Sequence, residues 1–207
     1  MLVDLTLKEF EEKLASESPT PGGGSVSALA GAQGAALLEM VIAVTLKGEK
    51  YAASRPKLEP IRTKASSLRR DFRLLVDRDA EAYESVVAAM RLPKESVEEK
   101  AARKAARDRA LLFAAEVPLR TAELAAALAA LAEDAAPHVN PNVASDLLVA
   151  ALLAEAALGG AAANVRINIE ALKSEDFAAK ANARLKKWTA ETAAHVQGLR
   201  LRFPSLA

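Results

Sequence analysis

Between Ser18 and Ser25 the chain reads Ser-Pro-Thr-Pro-Gly-Gly-Gly-Ser, and no regular helix or strand can pass through that segment. Two prolines fix or forbid backbone angles, and three consecutive glycines leave the backbone unusually free, so a loop is required. A helix predicted from about Ser25 to Lys47 follows at once. Along it Ser27, Gly31 and Ala35 recur every four residues, which leaves one helix face almost without side chains. A glycine inside a helix costs roughly 1 kcal/mol against alanine. Close approach of another helix, or of a ligand, is the compensation that such a face invites. Free N–H groups at the start of this helix, at the positive end of its dipole, also suit an anion or a polar edge. No strand precedes the glycines and no Lys-Ser/Thr follows them, so this is not a nucleotide-binding P-loop, and a flexible connector is the plainer reading.

Around that segment the chain is helical throughout. Thr6-Leu-Lys-Glu9 and Ser96-Val-Glu-Glu99 each fit a capping box at a helix start. The first should open a short helix ending near Ser16. Further helices are expected over about 56–90, from Ser96 to about 135 with a kink at Pro118, over 144–172, and over 175–201 with Ser174 as N-cap. Pro137-His-Val-Asn-Pro-Asn142 reads as a loop. Half the residues are hydrophobic (51%) but only 4% are aromatic, so alanine and leucine must fill the interior, which favours helices over sheets. The expectation is an all-α, antiparallel up-and-down bundle of about five long helices plus a short N-terminal one, as a single domain over 1–207.

Composition also narrows function. A net charge of +1 with acids and bases intermixed offers no footprint for nucleic acid, and no basic amphipathic segment suits a membrane surface. The absence of cysteine excludes disulfides, thiolate nucleophiles and cysteine-bound metal. His138 and His195 stand apart, without metal-ligand spacing, so no metal is expected. The acidic amphipathic N-terminus is unlike a signal peptide, and apolar runs such as Leu147–Ala163 carry an acid and look short for a membrane span; the expected location is cytoplasmic. The basic residues between Arg103 and Arg109 read as a solvated helix face.

Two places break the helical pattern. On the helix before Pro93, Leu58, Ile61, Ala65, Leu68, Phe72, Leu75, Val76, Tyr83, Val86, Val87 and Met90 share one stripe at about 100° per residue. Asp79 lies near the middle of it, whereas Asp77 lies roughly 150° away and should face solvent or another subunit. A carboxylate on a core stripe is costly unless paired or facing a polar cavity, and burial raises its pKa toward the range useful for moving protons. Asp79 is therefore either a packing anchor bonded to a buried partner or an acid/base. On the later helix Asp146 and Asn164 share a wheel angle with Asn168 close by. Asp146 and Asn164 are eighteen residues apart, about 27 Å of helix, so one small site on one subunit cannot use both. Asn164 and Asn168 can act together, although bonding between helices explains buried amides equally well.

Taken together, the segments PTPGGGSVSALAGAQGAAL (19–37), VDRDAEAY (76–83), RLPK (91–94), VP (117–118), NPNVASDLLVAA (140–151) and GAAANVRINIEAL (160–172) resemble, in order and over nearly the whole chain, the cyclodeaminase/cyclohydrolase family. That family occurs fused in formiminotransferase-cyclodeaminase and alone in bacteria. The resemblance implies an all-helical homodimer acting on a tetrahydrofolate derivative, with no metal or redox cofactor beyond that substrate. It places the acid/base aspartate in VDRDAEAY, and the wheel selects Asp79. It also implies substrate contacts from Pro21, Gly22, Gly23, Gly24 and Ser25, a second wall from Asn140, Asn142, Ser145 and Asp146, a contact from Lys94 to a folate carboxylate, and participation of Asn164 and Asn168. At Tyr83 the family often has phenylalanine. Two activities follow on one site: formimidoyltetrahydrofolate cyclodeaminase, as in histidine degradation, or methenyltetrahydrofolate cyclohydrolase. A bundle serving only as an interaction module is the alternative outside enzymology.

Overall fold

The computed structural model describes residues 1–204, and every long element in it is a helix. A 3₁₀ turn at Leu2–Asp4 precedes α1 (Leu7–Leu14), α2 (Gly23–Leu46), α3 (Arg55–Met90), α4 (Val97–Ala135), α5 (Ala144–Leu172) and α6 (Glu175–Arg202). Both capping boxes form. Thr6 Oγ1 accepts from Glu9 N while the Glu9 carboxylate accepts from Thr6 N, and Ser96 and Glu99 repeat the exchange. The Ser174 hydroxyl caps α6 by accepting from Phe177 N. Short 3₁₀ turns at Glu49–Ser54, Ala136–His138 and Pro141–Val143 occupy stretches the sequence pattern leaves as loop. Pro60 and Pro118 both lie inside continuous helices.

The pairing of residues across helices sets their directions. Gly24 meets Asp79, Gly31 meets Phe72, and Glu39 pairs with Arg69, so α2 and α3 run antiparallel. Gly23 meets Asn164, Ser27 meets Gly160 and Gly34 meets Ala150, which makes α2 and α5 antiparallel as well. Glu123 with Arg184 and Glu133 with His195 show α6 running parallel to α4, as two successive reversals require. The expected up-and-down bundle is the observed architecture.

The core is built mostly of alanine, leucine and valine, with Phe72 the largest fully buried side chain. α2 and the segment from Pro141 to Leu172 are each long and apolar enough by composition to cross a membrane, contrary to the expectation that the apolar runs are too short. In the bundle these two helices pack against each other and against α4, α2 also against α3 and α5 also against α6. Their glycines explain how. A Cβ on Gly31 would stand 2.5 Å from Phe72 Cζ, and one on Gly34 would stand 2.9 Å from the Ala150 carbonyl oxygen. The small-residue faces thus admit an aromatic ring on one side of α2 and a helix backbone on the other.

The predicted α3 stripe holds from Leu58 to Val76 and then fails. Tyr83 and Met90 are exposed, at 44% and 51%, and Ala82 and Ala89 are buried instead. The reason is the length of α2, whose first residue, Gly23, lies near Asp79's level in the bundle. Beyond that level α3 has lost α2 as a neighbour and packs chiefly on α4, so the buried face rotates.

Candidate active site

The first turn of α2 is where three helices bring polar groups together. Asp79 projects from α3 toward Gly24 and Ser25. Its Oδ2 accepts from Ser25 N at 2.8 Å and lies 3.0 Å from Ser25 Oγ. Ser25 Oγ in turn donates to the Val76 carbonyl at 2.9 Å. Ser25 is fully buried, and Asp79 is half-buried. Glycine is required at 24 for this approach: a Cβ there would overlap Asp79 Oδ1 and stand 2.5 Å from its Cγ. Burial raises the Asp79 carboxyl above its ordinary value, while the hydrogen bonds from the Ser25 side chain and backbone pull it down by less.

The start of α2 supplies donors. Gly22 is the N-cap, and the N–H groups of Gly23 and Gly24 have no hydrogen-bond partner among the described residues. Gly23 is exposed, so its N–H is open to a ligand at the positive end of the helix dipole, whereas Gly24 is buried against Asp79. From α5, Asn164 lies beside Gly23: a Cβ on that glycine would sit 3.5 Å from Asn164 Nδ2, which donates to Gly160 O of its own helix at 2.8 Å. Pro21, buried, sets the chain's entry into α2. A carboxyl group of raised pKa, a pair of free amides and a carboxamide thus frame one edge of the bundle.

Other candidates separate. Asn168 Nδ2 donates to Ala114 O of α4 at 2.6 Å, so it ties two helices together. Lys94 is exposed in the α3–α4 connection, eleven residues of α3 and a turn beyond Asp79. Asn140, Asn142, Ser145 and Asp146 gather at the far end of α2, where Asn140 N donates to Thr45 Oγ1 at 3.0 Å. Gly23 and Thr45 lie at opposite ends of α2, about 33 Å apart along its axis. A second wall built by this group around Asp79 does not exist within one chain. The Asn140 side chain is engaged locally, accepting from Asn142 N at 3.1 Å. Nor does Asp77 face solvent as the wheel implies. It is half-buried beneath the first 3₁₀ turn, where Oδ1 accepts from Leu2 N and Oδ2 has no partner among the described residues.

Ser25's tie to Asp79 has no sequence signal, because fifty-four residues separate them. His195, outside the site, is joined to Glu133 across α6 and α4. Among the described residues no three His, Asp or Glu side chains gather as metal ligands would. A cleft of about 400 Å³ between α3 and α4, edged by Leu74, Arg78, Phe113 and Arg120, contains none of the expected site residues.

The all-helical bundle with a half-buried aspartate set against a glycine-rich helix start has known counterparts, and comparison with known proteins identifies the class. The formiminotransferase-cyclodeaminase family profile matches residues 6–187, so the chain belongs to that family. The methenyltetrahydrofolate cyclohydrolase of Methylorubrum extorquens is 40% identical over 91% of both chains. The formimidoyltransferase-cyclodeaminase of Sus scrofa is 36% identical over 89% of this chain, which spans only 34% of that longer protein. The crystal structure of formiminotetrahydrofolate cyclodeaminase from Thermotoga maritima superposes with a TM-score of 0.88 at 32% identity, covering 100% of this chain and 99% of that one.

Proposed function

We propose that this chain is a tetrahydrofolate one-carbon enzyme, a formimidoyltetrahydrofolate cyclodeaminase, with Asp79 as its acid/base. The observation that carries the reading is the Asp79 carboxyl, raised in pKa by burial and set against the free amides of Gly23 and Gly24. Ring closure joins N10 of 5-formiminotetrahydrofolate to the formimino carbon and expels ammonia. A base must collect the N10 proton and an acid must protonate the departing nitrogen; one carboxyl that takes up the first proton and gives it back does both in turn. The exposed Gly23 amide and Asn164 hold polar atoms of the substrate. Holding N5, the carbon and N10 in attack geometry supplies much of the remaining acceleration.

The 40% identity to a cyclohydrolase over nearly the full length of both chains favours a second reading on the same site. Water then adds to 5,10-methenyltetrahydrofolate and opens the ring to the 10-formyl form, through a similar tetrahedral carbon. One experiment separates the two. Purified protein is given each substrate while the methenyl chromophore is followed: it appears, with ammonia, for cyclodeamination and vanishes faster than the spontaneous rate for hydrolysis. No change with either substrate refutes both. The proposal includes work as a homodimer in the cytoplasm, without metal or redox cofactor; sedimentation of the purified protein and full activity after chelation are the expected results.

A further inference from the structure

We propose that Ser25 is a positioning residue that pins one oxygen of Asp79, so that the proton is exchanged on the other, Oδ1, above Gly24. This rests on Asp79 being the acid/base of the proposed function. Ser25 N–H points at Oδ2 from 2.8 Å and cannot turn away, because the backbone of α2 holds it. A proton on Oδ2 would face that N–H, so protonation of the carboxyl falls on Oδ1. Oδ1 has no hydrogen-bond partner among the described residues and fills the space a side chain at position 24 would take.

The Ser25 hydroxyl adds the part that can move. It carries one proton and stands between two acceptors, Asp79 Oδ2 at 3.0 Å and Val76 O at 2.9 Å. Val76 O only accepts, whatever the state of the site. When Asp79 is ionised, the hydroxyl proton turns to Oδ2 and joins the backbone donor. When Asp79 takes up a proton, the hydroxyl turns back to Val76 O. Ser25 therefore follows the charge of Asp79 without exposing a polar atom, since the side chain is fully buried.

Few other charges act here. α2 carries none from Gly23 to Leu38, and α5 brings the neutral Asn164. On α3, Asp77 is bonded to Leu2 N, and Arg78 pairs with Glu81 on the exposed side. The consequence for recognition is that both polar groups of Ser25 are used inside the protein, which leaves the exposed Gly23 amide to meet the substrate.

The test uses Ser25→Ala and Ser25→Cys, with circular dichroism to verify the fold. Ser25→Ala keeps the backbone donor and removes only the donor that turns; the orphaned Val76 O keeps its helical partner. The Asp79 carboxyl carbon is titrated by ¹³C NMR in the unliganded protein, its resonance assigned with Asp79→Asn. The expected midpoint for Ser25→Ala is about one pH unit above wild type, with a smaller rise for Ser25→Cys, whose thiol is a weaker donor. The limb of the kcat/KM profile governed by Asp79 moves by the same amount, and KM stays within about twofold. An unmoved midpoint in a folded variant overturns the proposal, as does a large rise in KM with an unmoved limb. If Ser25→Ala does not fold, the Ser25→Cys titration decides in the same way. A raised midpoint in a protein inactive on both folates supports the pinning and refutes the folate reading instead.

Discussion

Replacing Gly24 by alanine should separate catalysis from folding, because the three atoms nearest the added carbon all belong to the proposed acid/base. A Cβ at 24 would overlap Asp79 Oδ1, with Cγ at 2.5 Å and Oδ2 at 2.8 Å, whereas ordinary contact needs roughly 3.5 Å. The carboxylate must therefore retreat by about 1–1.5 Å to restore ordinary contact, which stretches both bonds from Ser25 beyond hydrogen-bonding range. Each such bond to a charged acceptor is worth about 1.5–3 kcal/mol when intact, but half-exposed Asp79 regains water as it moves, so the net cost is smaller. Alanine in place of a helical glycine returns about 0.5–1 kcal/mol. The balance is a loss of about 1–2 kcal/mol, or a fall in Tm of about 2–8 °C for a chain of this length. Activity should fare far worse. A misplacement of about 1 Å at a reacting group costs on the order of 100-fold in rate. The assay pairs thermal melting by circular dichroism with initial rates on both folate substrates. A Gly24→Ala protein that keeps wild-type kcat/KM would refute the placement of Asp79 in the chemistry.

Asp79→Asn should keep the fold while kcat falls by about 100-fold or more, the share usual for a general acid/base. Asp77→Asn should lose less than about threefold, since its amide oxygen can still accept from Leu2 N and its NH₂ replaces an oxygen that has no partner; equal losses from both variants refute the distinction. Because the folded state holds the Asp79 carboxyl above its ordinary value of 3.8, its contribution to stability is complete below that pH and is lost as pH rises through the elevated value. Asp79→Asn removes that loss, so its Tm relative to wild type should climb between acid and neutral pH; a flat difference contradicts the burial argument. Asn168→Ala should lower Tm by breaking the α5–α4 bond to Ala114 O, whereas Asn164→Ala, bonded within its own helix, should chiefly raise KM. The reverse pattern would exchange their roles.

Much of this was readable because helical phase is a local property. The wheel brought Asp79 inward, and the two capping boxes marked α1 and α4. The small-residue face announced that something approaches α2 closely, without saying what. It proved to be the Phe72 ring at Gly31 and the Asp79 carboxylate at Gly24. What the wheel cannot contain is where a neighbouring helix begins. Tyr83 and Met90 follow the stripe but lie past the start of α2, so they are exposed. Asp77 was misread for a similar reason: a 3₁₀ turn at the N-terminus folds over it, and nothing in the periodicity of α3 registers that turn.

The Asn140–Asp146 corner carries this argument to its sharpest test. Resemblance assigns it to the substrate, yet α2 holds it about 33 Å from Gly23. Within one chain its visible work is local: Asn140 closes the turn into α5 through Asn142 N and reaches Thr45 Oγ1 on α2. Removing the Asn140 side chain should therefore cost about 1 kcal/mol of stability through the lost cap, and Asp146→Ala, with no hydrogen bond or ion pair among the described residues, should fall within about 0.5 kcal/mol of wild type. Neither substitution should move the Asp79 titration in the unliganded protein, because about 33 Å is several times the Debye length of roughly 8–10 Å at physiological salt. Rates and titration are then read together. A kcat loss as deep as that of Asp79→Asn would refute a purely local role for the corner, since the helix that separates the two clusters is too long for one subunit to bring them together.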